Sequence, residues 1–234
     1  MLHRLKSRTF KSSNHVTRKV VVFGSHNAGV TTLLWTLRLS ASSGAFGTAG
    51  LSDLRGSEIR VSCGKKNEAG DGENIVTLKL ADVLWSRTFI KPESIRPFLQ
   101  YFLDGASVAL LTFAVDSPET LLDAQHCAHQ IRELHGDSFP IVLLALKCDI
   151  RDEPHGEPAC DFANVFPQME DIQKGPLPYH LGMSIAAEIE ASLYLECSAR
   201  NRWQLRAVAD QLAELALAST PKRAGTAESA AMQM

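Results

Sequence analysis

KVVVFGSHNAGVTT, residues 19–32, decides how this chain is read. Lys19–Phe23 is apolar enough for a buried strand. Gly24 and Gly29 bracket a turn, and from Thr31 to Leu39 the leucines at 33, 34 and 37 fall on one helical face. A strand that passes into a helix through a glycine turn leaves the turn's amides and the helix's first N–H groups pointing into one concavity, which suits phosphate oxygens. The pattern for such a phosphate loop is GxxxxGK[ST]. Gly24, Ser25, His26, Asn27, Ala28, Gly29, Thr31 and the adjoining Thr32 keep its glycines, spacing and hydroxyls, but Val30 stands where the pattern has lysine. Taken alone, G-x4-G-x-T is equally the signature of an ordinary glycine-rich turn.

Outward from this unit, apolar runs alternate with helical periodicity. Residues 58–63 and 75–81 read as two strands joined by the polar stretch 64–74, and a helix is expected near 93–102. SVALLTFAV (107–115) and PIVLLAL (140–146, in a strand running to 147) are continuous apolar runs, too short to span a membrane and typical of strands buried on both faces. Helices are expected over 117–135, 180–191 and 202–217, with a short strand at 192–196 and an irregular stretch over 150–177. The reading is α/β: a mostly parallel, six-stranded sheet with helices on both faces. Ligands on such a sheet sit beyond the carboxyl ends of the strands, so the informative loops leave residues 23, 82, 116, 147 and 196.

Composition fits this reading and excludes several function classes. Of 234 residues, 45% are hydrophobic and 21% charged, which allows a packed core. A formal net charge of −2 argues against a nucleic-acid partner bound through bulk positive charge. The five cysteines (63, 127, 148, 160, 197) form no CxxC pair, and their odd number fits a reducing compartment better than a disulfide framework. No signal peptide is expected, because the N-terminus lacks an apolar stretch. Residues 1–18, basic and free of acidic side chains, and 220–234, small and polar, read as disordered ends.

Two further loops carry chemistry. Leu146-Lys147-Cys148-Asp149 follows the 140–147 strand and is similar to the [NT]-K-x-D guanine motif of G proteins, with Leu146 in place of the opening amide or hydroxyl. A carboxylate such as Asp149 can accept both N1–H and the exocyclic amine of guanine, a pair adenine does not offer, and Lys147 can lay its stem on the base. Glu196-Cys197-Ser198-Ala199 follows the last strand and matches the motif whose backbone N–H groups, at Ser198 and Ala199, meet the guanine oxygen. Each loop alone has a bland reading as surface polar residues after a strand. Together, in order, they resemble the Ras superfamily of small GTPases. FAVDSPETL (113–121), SIRPF (94–98), DIRDE (149–153) and MSIAAEIEASLYLECSA (183–199) narrow the resemblance to its Rho branch. It covers about residues 19–217, with a Rho-like G domain expected over 19–219, and is weak over 40–60 and 83–93.

The resemblance implies a P-loop small G-protein fold, GTP or GDP with Mg²⁺ as ligands, and effectors or regulators of Rho-type signalling as partners. Thr31 and Asp82 would then serve the magnesium ion. It also exposes what is missing. No clear magnesium-binding threonine occurs in 40–60, where Ser52 is a poor candidate. The family's D-T-A-G-Q is here Asp82-Val83-Leu84-Trp85-Ser86, so Trp85 replaces the glycine whose N–H meets the γ-phosphate and Ser86 replaces the glutamine that positions water. His26 would crowd the site of attack, or lend a partial cation in the lysine's stead. With no cysteine beyond Cys197, a C-terminal prenyl anchor is not expected. Any membrane contact would be weak and electrostatic, through the N-terminal arm of a cytoplasmic protein. Four readings follow: a binding module that holds guanine nucleotide weakly without hydrolysing it; a slow but active GTPase; a nucleotide-free scaffold with Val30, Leu84 and Trp85 filling the old phosphate site; and a P-loop kinase or ATPase, which the Lys-x-Asp and Glu-Cys-Ser-Ala loops disfavour.

Overall fold

The computed structural model describes residues 15–42, 57–63, 74–87, 91–152, 175–219 and 221. Ser52, the joining stretch 64–73, most of the irregular stretch 150–177 and most of both terminal segments lie outside the described residues.

Strand β1 (His15–Gly24) leads into helix α1 (Val30–Ser42). Strands β2 (Ser57–Cys63) and β3 (Asn74–Leu84) follow, then α2 (Pro92–Leu103), β4 (Ala106–Ala114), α3 (Pro118–His135) and β5 (Ile141–Leu146). A 3₁₀ turn over Cys148–Asp152, α4 (Tyr179–Glu188), β6 (Leu193–Glu196) and α5 (Leu205–Ala218) complete the domain. Among the described residues six strands form one sheet in the order β2-β3-β1-β4-β5-β6, parallel except for β2 against β3. Every residue of β4 and β5 is buried, which is why these strands read as unbroken apolar runs.

Side-chain parity sorts the two faces. Even-numbered residues (Val20, Val22, Leu78, Leu80, Val108, Leu110, Val142, Leu144) pack in one cluster with α1 and α5. Odd-numbered ones (Val21, Phe23, Val83, Leu111, Phe113, Leu143) pack in the other with α2, α3 and α4. β1 lies between β3 and β4, with its following helix on one face and those after β3 and β4 on the other, so a crevice opens at its carboxyl end.

The structure corrects several boundaries. β1 starts at His15, inside the stretch read as a disordered arm: residues 15–18 pair with β3, His15 Nε2 and Thr77 Oγ1 lie 2.8 Å apart, and Arg18 Nε donates to the carbonyl of Ala216 at 3.0 Å. β3 runs on to Leu84 instead of stopping at 81, because its register on β1 continues to the Gly24–Leu84 pair. α4 ends at Glu188 and not 191, with Glu190 in the left-handed region at φ 54°. α5 begins at Leu205 and not 202, since Arg202 and Gln204 take φ of 61° and 58°. Among the described residues no helix is long and apolar enough to cross a membrane.

Candidate nucleotide site

The turn between β1 and α1 is shaped by two glycines for different reasons. At Gly24 a Cβ would collide with Val30 Cγ2 and Thr112 Oγ1, and Thr112 is itself fixed by donating to the Phe23 carbonyl at 3.0 Å. At Gly29 the backbone has φ +100°, which side chains rarely adopt, and Asn27 at φ 66° is the residue type that best tolerates the same region. Ala28 N–H donates to the Ser25 carbonyl at 3.2 Å, closing the turn, and Leu33 N–H to Gly29 at 3.0 Å, starting the helix. Val30, Thr31 and Thr32 form the first helical turn, whose N–H groups have no intrahelical acceptor, and all three line the cleft in front of it.

In front of them lies a cleft of about 920 Å³. Of the residues expected to bind nucleotide or metal, Gly24, Ser25, His26, Asn27, Gly29, Val30, Thr31, Thr32, Asp82 and Lys147 line it. Ala28 does not: it is fully buried in the α1 cluster and contributes backbone only. Asp149 lines a separate cavity of about 180 Å³, beside Arg151, Asn201 and Trp203. Its Oδ1 accepts from Ser198 Oγ at 2.6 Å, and its Oδ2 lies 3.7 Å from the Arg200 guanidinium. The three loops are held together. A Cβ on Gly29 would touch Leu146 Cδ1 at 3.7 Å and Lys147 Cε at 3.9 Å, the Ala199 carbonyl accepts from Thr36 Oγ1 of α1 at 3.4 Å, and Cys148 N–H donates to the Cys197 carbonyl at 3.4 Å.

Two cleft residues were not anticipated, Asp116 and Ser117. Lys147, at φ 61°, turns its ammonium onto Asp116, 3.1 and 3.2 Å from the two carboxylate oxygens. Asp82 is exposed at the lip, although the surrounding protein partly desolvates its carboxyl and raises its pKa. Among the described residues, and leaving His26 aside, the lining sets one cation, Lys147, against two carboxylates, Asp82 and Asp116. The signal that could have found Asp116 is positional: it lies two residues past the end of β4, as Lys147 lies one past β5.

The residues after β3 depart furthest from expectation. Trp85 does not fill the phosphate site. It is 1% exposed and points to the opposite face, where its ring meets Phe23 edge-on (centroids 6.1 Å, 87°), Phe98 at 6.1 Å and His126 at 5.8 Å. Its backbone N–H donates to the Gly24 carbonyl at 3.1 Å, so it faces the end of β1. Its indole N–H is buried without a partner among the described residues, a cost of about 1–3 kcal/mol that the aromatic cluster offsets. Leu84 and Val30 do line the cleft, yet leave it open: Leu84 is 61% exposed and Val30 leans back on Gly24.

The cleft fits the phosphates of a nucleotide through its backbone and through Ser25, whose Oγ is buried without a partner among the described residues. Cationic neutralisation does not fit. Among the described residues no group of three or more His, Cys, Asp or Glu could hold a metal. A magnesium ion beside Thr31 and Asp82 would have to share its coordination shell with phosphate oxygens.

A phosphate-loop turn at the switch point of a doubly covered parallel sheet, with guanine-type loops after β5 and β6, defines a P-loop G domain. The Ras family profile matches residues 92–218. Among similar proteins, the GTP-binding protein RHO3 of Eremothecium gossypii is 32% identical over 154 residues, covering 64% of this chain and 66% of its own length. GTP-binding protein rho1 of Schizosaccharomyces pombe is 29% identical over 210 residues (88% and 89%), and RHO1 of Saccharomyces cerevisiae 27% over 220 residues (92% and 90%). The chain belongs to the Ras family, and within it is a Rho-like small GTPase-type signalling protein.

Proposed function

We propose that this chain binds GDP or GTP weakly with Mg²⁺, hydrolyses it little or not at all, and acts by docking protein effectors or regulators of Rho-type signalling. The observation that carries the reading is an open backbone cradle whose one lysine among the described residues, Lys147, is already paired with Asp116. Phosphates would be held by the 24–32 turn and Ser25, and the base by Lys147, Asp149 and the Ser198–Ala199 amides. The Ser198 hydroxyl keeps Asp149 oriented. Magnesium would supply the positive charge that Val30 does not. Each lost bond to a charged oxygen costs about 1.5–3 kcal/mol, or ten- to 150-fold in affinity. Hydrolysis in this family is positioning plus electrostatics, and Val30, Trp85 and Ser86 supply neither. The protein would work in the cytoplasm, with the basic N-terminal arm giving only reversible contact with an anionic membrane.

The test is to denature the purified protein and separate the released small molecules by ion exchange. GTP, or weak binding of added nucleotide with no product formed, supports the proposal. Stoichiometric GDP made from GTP would replace it by a slow GTPase. No nucleotide, and no thermal shift with GTP and Mg²⁺, would replace it by a nucleotide-free scaffold.

A further inference from the structure

Resting on the reading of the cleft as a nucleotide site, we infer that Trp85–Arg87 is bolted to α3 and does not move when the cleft is filled, so α2, whose Phe98 packs on the Trp85 ring, holds one position whatever phosphate chain is bound. Three independent anchors hold the segment. The β1–β3 ladder continues to Gly24–Leu84 and adds the bond from Trp85 N–H to the Gly24 carbonyl. The Trp85 ring is enclosed by Phe23 of β1, Phe98 of α2 and His126 of α3. Two residues on, Arg87 donates its backbone N–H to Asp123 Oδ1 at 3.2 Å, and its guanidinium pairs with Glu119 and, at 3.5 Å, with Asp123. Asp123 is 8% exposed, so its bond to that N–H is charge-assisted and shielded from water.

Magnitudes decide whether a ligand could release the segment. Burying the 150–250 Å² of a tryptophan favours the closed state by about 10³–10⁴-fold; allowing for the unpaired indole N–H leaves on the order of 10²-fold. The Asp123 bond adds about tenfold or more. A single new amide–phosphate hydrogen bond returns only about ten- to 150-fold. The lock exceeds the pull of one phosphate. Parity explains why this follows from the strand: position 84 faces the α1 side and the cleft, so position 85 must face α3.

The experiment is amide hydrogen exchange by mass spectrometry on the full chain: without nucleotide, with Mg²⁺ and GDP, and with Mg²⁺ and a non-hydrolysable GTP analogue. Occupancy is checked separately by competition with a fluorescent GDP analogue. The expected result is slow exchange in the peptide covering Trp85–Arg87, equal in all three samples. A change of more than about threefold between the GDP and GTP-analogue samples, or rapid exchange without ligand, overturns the inference. Should neither nucleotide bind, the nucleotide reading of the cleft falls, and the ligand-free rate alone judges the lock: slow supports it, fast overturns it. Since Trp85→Gly risks unfolding the domain, the variant is Asp123→Ala, which removes one anchor and leaves the cluster. It should speed exchange of that peptide about tenfold with the circular dichroism spectrum unchanged; an unaltered rate would refute the bolt.

Discussion

If the cleft holds nucleotide as proposed, replacing Val30 by lysine should tighten its grip on the phosphates. Val30 is the first residue of α1, 7% exposed, with one methyl against Gly24 and its outer edge in the cleft wall. The first carbons of a lysine there replace the valine, and the rest of the stem runs into the cleft. At about 4 Å from a phosphate oxygen, with an effective dielectric near 20, the ammonium gains about 4 kcal/mol. Ordering the long side chain costs about 2 kcal/mol. About 2 kcal/mol remains, roughly thirtyfold in affinity. The assay is competition of GDP against a fluorescent analogue at fixed Mg²⁺, repeated at several salt concentrations. The gain should shrink as salt rises, because it is electrostatic and the cleft is open. Val30→Met, of similar reach and no charge, should show no gain. A folded Val30→Lys protein with wild-type affinity would refute the reasoning, because phosphates could not then be entering in front of α1.

Two predictions concern the stability of the fold. Gly182→Ala should destabilise the fold although alanine is the better helix former: the new methyl collides with the Tyr194 hydroxyl, which cannot retreat because it donates to Glu196 Oε1 at 2.5 Å. Overpacking of about 1–3 kcal/mol should outweigh the ~1 kcal/mol of helix propensity and lower Tm by a few degrees in a thermal melt; an unchanged or raised Tm would count against the packing described. Stability should also fall in alkali. Burial pushes the Cys148 thiol up from 9.0 to about 12, and burial raises the Cys127 and Cys197 thiols too. The unfolded thiols ionise near 9 while the folded ones keep their protons, so stability is intact below pH 9 and drains away between about 9 and 12. The expected loss is about 1.4 kcal/mol per thiol by pH 10, read from urea denaturation at pH 8 and pH 10. Equal stability at the two values would mean the thiols ionise freely in the fold.

How much of this was legible depended on whether local sequence or tertiary pairing decided the outcome. β4 and β5 were plain because burial on both faces demands apolar side chains at every position. The β1 turn was plain because φ +100° at Gly29 and the crowding at Gly24 both require glycine. The end of β3 was not. Asp82-Val83-Leu84-Trp85 reads locally as a loop, and only its register on β1 makes it a strand. The scaffold reading, with Trp85 in the phosphate site, fails for the same reason. Once residues 82–84 are counted as strand, parity sends it away from α1, but without that extension an apolar residue beside an empty cationic position looks like a plug. The α5 start was missed because Arg202 and Gln204 take left-handed conformations that nothing in their side chains announces. Asp116 was visible in FAVDSPETL but had no partner until Lys147 was seen to bend across to it.

The division along the chain bears on what a repaired phosphate loop would achieve. The family match begins at residue 92, past both the β1 turn and the segment 82–87. The loops that would face the base, after β5 and β6, lie inside the match, whereas Val30, Trp85 and Ser86 lie outside it. Binding and turnover should therefore respond differently to Val30→Lys. Affinity rises because a charge is added to a cradle already in place. Turnover needs two more groups: an amide aimed at the terminal phosphate and a side chain that positions water. The amide at 85 is engaged with Gly24, and Ser86 is short and only 8% exposed. The lysine variant should bind tighter and release phosphate no faster than wild type in a single-turnover assay; a burst of phosphate would show that the Trp85 segment leaves its seat on α3 during the reaction.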